Sequence, residues 1–286
     1  MKDIQLKQHS VMVIGEGKLA DSIAACLQEK HALSRCTSAV NLPLSIAEEL
    51  IIIITADHLE QKVDWINGIQ ERIHRDALLA INLEAISLQA LQEKVSYPEQ
   101  LLGLNWVYPA DTTFFLEIIR NKSTREGADL LVHRLAKQFW NKDPYVVHAG
   151  FSIRARMFAA MVREAFYLVE HQYADIQSVD RACRNDAGFY LPFAGNFRYM
   201  DLMGPYAYGV VMKELNPELS QERQLPNFFQ QLLAKGALGM AHDEGFYSYG
   251  DGEAARWKTL FAKFSKEIQE IIQRYPFTRE DLTEKS

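Results

Sequence analysis

The sequence predicts an α/β domain built on a doubly wound parallel sheet over residues 1–148, followed by an all-α domain over residues 149–286. Three observations predict it. Short β-branched runs alternate with stretches of helical spacing through the first half of the chain. The first run enters a glycine turn that opens an amphipathic helix. After His148 the strand runs stop and helical spacing takes over.

Residues 11–14, Val-Met-Val-Ile, read as a buried strand. The turn that follows is Gly15-Glu16-Gly17-Lys18-Leu19-Ala20, with a helix from about Lys18. Gly15 permits the sharp turn, and Gly17 lets the backbone approach a pyrophosphate closely. Ala20 is small enough for helix and strand to pack, and the helix N-terminus offers N–H donors to an anion. A second strand covers 32–36. An acid at its end would hold ribose hydroxyls, but this region reads Ser34-Arg35-Cys36-Thr37-Ser38. That pattern fits NADP, with Arg35, Thr37 or Ser38 meeting a 2′-phosphate, and equally a site without cofactor.

Residues 50–54, Leu followed by four Ile, are the continuous run expected of a strand covered on both faces. Leu59, Val63, Ile66 and Ile69 then give a helix over 58–73. Strands at 78–81 (ending at Asn82), 102–105 and 114–119 follow, with a short helix over 87–94 between the first two. A helix over 124–139 and a short strand over 145–147 close the domain. Beyond the boundary, a long helix covers 153–169. Further helices break at Gly188, Gly195, Gly204-Pro205 and Pro226, residues 246–249 form a short strand candidate, and 278–286 read as a frayed polar tail.

Composition narrows the function. A net charge of −6 lacks the basic excess a nucleic-acid or anionic-membrane binder needs. The longest apolar run is far too short to cross a bilayer, and the first ten residues carry no apolar signal core. Cys26, Cys36 and Cys183 are scattered and odd in number, which points to buried free thiols in a reducing, cytoplasmic setting and to no metal site.

Several segments, in order, resemble the 3-hydroxyacyl-CoA dehydrogenase family from end to end. Residues 13–20 look like its nucleotide turn. Gly103-Leu104-Asn105-Trp106-Val107-Tyr108-Pro109 resembles its Gly-x-His-Phe-Phe-Asn-Pro segment, and Phe115-Leu116-Glu117 the acidic strand after it. Residues 149–155 resemble its Pro-Gly-Phe-x-x-Asn-Arg helix start, and 200–204 and 239–249 its two C-terminal signatures. The resemblance implies a Rossmann-type domain binding NAD or NADP and a helical domain that forms a homodimer. It also implies oxidation of a 3-hydroxyacyl thioester in fatty acid metabolism, with a histidine base oriented by a glutamate, and an asparagine and a serine on the substrate oxygen.

Residue by residue, that set has changed. Asn105 stands at the histidine place, and an amide takes no proton near neutral pH. Glu117 keeps the glutamate place and Arg154 stands at the asparagine place. Asn82 begins the serine segment, but Leu83-Glu84-Ala85 follow it, with Ser87 further on. The family's coenzyme A hairpin after the second strand has no room in residues 39–48.

Each remaining group has two readings. Glu117 is a base or substrate-orienting group, or else a salt bridge with Arg154. Tyr108 is a proton donor to a carbonyl, or packing. Arg154 and Arg156 bind a carboxylate or phosphate, or form ion pairs. His148 and His242 are replacement bases or structural residues. The aromatic stretch from Phe189 to Tyr208 is dimer or core packing, or a pocket wall. Two functions follow. One is an NAD(P)-linked oxidoreductase acting on a 3-hydroxy or 3-keto acyl-type small molecule. The other is a non-catalytic dimeric binding or scaffold module of the same fold.

Overall fold

Strands that must be buried on both faces need apolar side chains at every position, and the centre of this sheet has them. The computed structural model describes residues 9–38 and 41–275. Strands β3 (Leu50–Ile53) and β4 (Leu78–Ile81) are buried at all four positions, and β5 (Leu101–Asn105) at all five. Around them lie β1 (Ser10–Ile14), β2 (Ala32–Cys36), β6 (Phe115–Ile119) and β7 (Asp143–Val147). The order across the sheet is β2-β1-β3-β4-β5-β6-β7. Each fully buried aliphatic side chain contributes about 1.5–3 kcal/mol, so the three central strands dominate the stability of this layer.

Helices cover both faces. On one face Ile23 and Leu27 of α1 (Lys18–Gln28) join Val132, Leu135 and Ala136 of α4 (Ala128–Phe139) in a single apolar cluster with the sheet. On the other, Ile66 and Ile69 of α2 (Leu59–Gln70) and Leu88 and Leu91 of α3 (Leu88–Gln92) do the same. At one margin His31 stays neutral: its Nε2 accepts from Trp140 Nε1 at 2.7 Å, and burial pulls its pKa down.

Several expectations are corrected. The sheet is mostly rather than wholly parallel, because β6 runs antiparallel to β5, with Asn105 opposite Glu117. A connection of only nine residues (106–114) returns the chain along the neighbouring strand, which is too short for a crossover helix. The helix expected from 124 begins at Ala128, since Gly127 in the left-handed region (φ +80°) sets its start. Gly188 does not break a helix, because α7 (Gly188–Met203) continues from a π-turn there, while the break expected at Gly195 is present as a kink. Residues 246–249 form no strand, only a bridge from Glu244 to Ser248. Of the cysteines, Cys36 is buried and Cys26 half-buried, but Cys183 is exposed. The expected tail at 278–286 lies outside the described residues.

The chain divides into two compact units between Arg156 and Met157, within α5 (Ile153–Glu170). The second unit is helical, with α6 (Ile176–Ala182), α7, α8 (Pro205–Leu215), α9 (Asn227–Ala234) and α10 (Glu253–Arg274). Among its described residues only Ala194, Ser220, Ala237 and Ser265 are buried, all of them small. Large apolar side chains stand exposed along its helices, among them Phe158, Met161, Phe197, Tyr206 and Phe264. No described helix is long and apolar enough to cross a membrane.

Candidate nucleotide and substrate site

Strand order reverses at β1, whose neighbours are β2 and β3, so a crevice opens beyond the carboxyl ends of β1 and β3. The glycine turn lies there. Gly15 has φ +136°, and a Cβ on it would meet the Ile54 carbonyl oxygen at 2.3 Å, so only glycine fits. Its N–H donates to Cys36 O at 2.9 Å, which ties the turn to β2. Gly17 has φ +89° and open space where a side chain would stand. No side chain caps α1 there, so the first-turn N–H donors face an anion site free of competition. Ala20 is fully buried under the helix and Leu19 packs on the core, while Glu16 and Lys18 are exposed. These features fit a dinucleotide pyrophosphate, and NAD held along this turn supplies a hydride acceptor.

At the end of β2, Thr37 is exposed and available to a ribose. Arg35 is engaged: its Nη1 donates to Asp21 Oδ1 at 2.9 Å and its Nη2 reaches Gly15 O at 3.5 Å. Asn82, at the end of β4, is bound back onto β3. Its Oδ1 accepts from Thr55 N at 3.0 Å and its Nδ2 donates to Thr55 O at 2.9 Å. Lys62, which sequence reasoning passed over, completes this corner. Its fully buried ammonium donates to Asn82 O at 2.8 Å, Asn82 Oδ1 at 3.1 Å and Thr55 Oγ1 at 3.1 Å, with Asp57 3.8 Å away. Burial outweighs Asp57 and brings its pKa down to about 8. A signal existed: Lys62 falls three residues after Leu59 and four before Ile66, on the helix face that turns inward.

Glu117 is the hub of the carboxyl edge. It is fully buried, and its two oxygens accept from five donors. Oε2 takes Ser152 Oγ at 2.6 Å and Asn105 Nδ2 at 2.9 Å. Oε1 takes Tyr145 OH at 3.0 Å and the backbone N–H groups of Ile153 and Arg154 at 2.8 and 3.1 Å. The carboxylate therefore caps α5, where the helix dipole favours negative charge, and Ser152 assists by accepting from Ala155 N at 2.9 Å. Burial and the neighbouring carboxylate push the Tyr145 hydroxyl well above the ordinary tyrosine range. Tyr145 is paired with Glu117 in register on β7, a relation that spacing along the chain does not display.

The structure brings Asn105 and Glu117 together, as the resemblance implies for that pair of places. Asn105 is nevertheless full: Oδ1 accepts from Leu83 N at 2.7 Å, and Nδ2 donates to Leu83 O at 2.6 Å as well as to Glu117. Arg154 contributes only its backbone to Glu117. Its Nη1 donates to both Glu84 carboxylate oxygens, at 2.9 and 2.8 Å, so the ion pair expected with Glu117 is made with Glu84 instead. Tyr108 is half-buried just before a cis bond to Pro109, and it is Tyr145 whose hydroxyl reaches the carboxylate. His148, His242 and Arg156 are exposed, and Arg156 rests over the Phe151 ring. Among the described residues no cluster of His, Cys, Asp and Glu is arranged to hold a metal ion.

A glycine turn at the switch point of a mostly parallel sheet, with an uncapped helix behind it, defines a dinucleotide-binding protein of the dehydrogenase type. Comparison with known proteins makes this particular. The NAD binding domain of 3-hydroxyacyl-CoA dehydrogenase matches residues 27–150, and the C-terminal domain of the same family matches 150–249. The chain belongs to the 3-hydroxyacyl-CoA dehydrogenase family, and its first domain is an NAD-binding one. Of the two nucleotides the sequence left open, the family match supports NAD.

Among relatives, 5-formyl-3-hydroxy-2-methylpyridine 4-carboxylate 5-dehydrogenase of Mesorhizobium japonicum is 25% identical over 204 residues, 70% of this chain and 65% of the relative. 3-Hydroxyadipyl-CoA dehydrogenase of Escherichia coli is 27% identical over 226 residues, 77% of this chain and 46% of the relative. The chain thus spans less than two thirds of either. A crystal structure of an NAD+-dependent 5-formyl-3-hydroxy-2-methylpyridine 4-carboxylic acid 5-dehydrogenase superposes with a TM-score of 0.81 at 19% identity, covering 94% of this chain and 99% of that one. A 3-hydroxyacyl-CoA dehydrogenase from Archaeoglobus fulgidus gives 0.64 at 21% identity, covering 90% and 98%. At these identities the superpositions establish the fold.

Proposed function

We propose that the protein is an NAD-linked oxidoreductase that interconverts a hydroxyl and a carbonyl on a small, carboxylate-bearing molecule of the 3-hydroxy or 3-keto acyl type. The observation that carries this reading is the glycine turn, strained at Gly15 and open at Gly17 in front of an uncapped helix. Arg154, at the carboxyl edge, holds Glu84 through Nη1 alone, and its other guanidinium N–H groups supply the cation such a substrate needs. The relative that acts on a pyridine carboxylate supports a small acid, and the short linker over 39–48 supports it over a coenzyme A thioester. We read the helical unit as a homodimer interface, since its helices leave their large apolar side chains uncovered. Free thiols at Cys26, Cys36 and Cys183 fit a reducing, cytoplasmic setting.

One observation favours the second reading, a binding module without turnover: Asn105 and Glu117 have every polar atom engaged in holding the fold. The test is titration with NADH, followed by its consumption in the presence of two carbonyl classes, acetoacetyl-CoA and carboxylate-bearing aldehydes. NADH bound and oxidised with the second class supports the oxidoreductase. NADH bound but never oxidised by either class leaves the module.

A further inference from the structure

With Asn105 in the histidine place, a dehydrogenase here needs another group to take the hydroxyl proton. The loop after β4 is built to present one. Asn82 is bound to Thr55 on both its amide atoms. Leu83 is fully buried in the space left by Gly103, where a Cβ would lie 2.6 Å from its Cδ1, and both its backbone groups are gripped by Asn105. Ala85 N donates to Asp57 Oδ2 at 2.7 Å. Between these fixed points the Glu84 side chain projects, and among the described residues its hydrogen bonds go to Arg154 alone.

On this geometry, and resting on the oxidoreductase reading above, we propose that Glu84 is the general base of the site, with Asn105 as the residue that positions its loop and Arg154 as the cation whose Nη1 orients it. Other carboxylates nearby are unsuited: Glu117 is saturated by five donors, and Asp57 holds Ala85 and faces Lys62. In the oxidising direction the substrate O–H bond breaks and its proton goes to a Glu84 oxygen. The carbinol C–H bond breaks with its electron pair leaving as hydride to the nicotinamide dinucleotide, and the C=O bond forms. Glu84 is 40% exposed, so the proton passes on to water and the base is restored.

The charge environment is consistent with this task. Burial pushes the Glu84 carboxyl above its ordinary range, and Asp57 after β3 and Glu117 on β6 push the same way. Arg154 at the start of α5 and Lys62 on α2 oppose them. A base with a raised pKa works closer to neutral pH.

The experiment uses the full chain as purified, with Glu84→Gln and Arg154→Met variants. In Glu84→Gln, turnover falls by at least about 100-fold, the acid limb of the kcat profile disappears, and NADH affinity stays within about twofold. Carbon-detected NMR of the nucleotide-free protein gives a readout independent of activity. The Glu84 carboxyl titrates above the ordinary glutamate range, and higher still in Arg154→Met, which also moves the acid limb upward. Turnover of Glu84→Gln within about threefold of wild type, an unchanged limb, or an ordinary titration unmoved by Arg154→Met overturns the assignment. A wild type that binds NADH but oxidises it with no carbonyl compound overturns the oxidoreductase reading and the base role with it. An active wild type whose turnover Glu84→Gln retains overturns the base role alone.

Discussion

A carboxylate without solvent exposure persists only where donors replace the water it has lost. Glu117 meets that condition with five donors drawn from β5, β7 and the start of α5. Glu117→Gln puts an amide NH2 where donors already point, so at least one donor loses its acceptor. The variant should lose about 2–4 kcal/mol in urea unfolding. Loss below about 0.5 kcal/mol would show that the hub contributes little. Asn105 and Glu117 were legible in the sequence because the motif places them. Ser152, Tyr145 and Glu84 were not, because their partners come from strands and loops 28 to 70 residues away. Lys62 was hidden for another reason: a lysine in an amphipathic pattern reads as solvent-facing, and only its position between Leu59 and Ile66 argues otherwise.

At the scale of elements, apolar runs located every strand of the sheet, because the central strands are covered on both faces and tolerate little else. Strand direction was not legible, since periodicity is the same for either sense, and β6 and β7 run against the other five. The aromatic alternation at 246–249 misled because a strand needs a partner edge, and only Glu244 pairs there. The β1-turn-α1 unit is the element most tightly specified by sequence. Its two glycines make different demands, one steric and conformational, the other conformational alone. Gly17→Ala carries backbone strain of about 1–3 kcal/mol, whereas Gly15→Ala adds a collision with the Ile54 carbonyl and must cost more. Urea titration of both variants checks the ranking; equal losses would contradict the close approach at Gly15.

For the molecule as a whole, the two units differ in how they are stabilised. The α/β unit has an apolar cluster on each sheet face. The helical unit buries no large side chain among its described residues, and a cavity of about 750 Å3 lies open between α5 and residues 222–230. A domain of this size stands on buried apolar area, and the homodimer proposed above would give these helices the matching face of a second copy to pack on. Obligate dimers cover about 2,000–5,000 Å2, and the exposed Phe, Met, Leu and Trp side chains of α5, α7, α8 and α10 suit that scale. Sedimentation should find a dimer at micromolar concentration, and a Phe197→Glu, Phe264→Glu double variant should dissociate and lose stability. A wild-type monomer of equal stability would contradict the dimer. The fold was legible at this scale from residue spacing; the missing core was not, because the sequence of an amphipathic helix does not say whose surface it faces.

The most direct measurement is calorimetric titration of the protein with NADH, alongside Gly17→Val. Wild type should bind with a micromolar Kd, and at about 100 times that concentration gain about 2.7 kcal/mol of stability. Gly17→Val should remain folded and bind no nucleotide, because its side chain fills the open space before α1. No heat and no stabilisation with folded wild-type protein, or equal binding by the variant, would contradict a dinucleotide site at this turn.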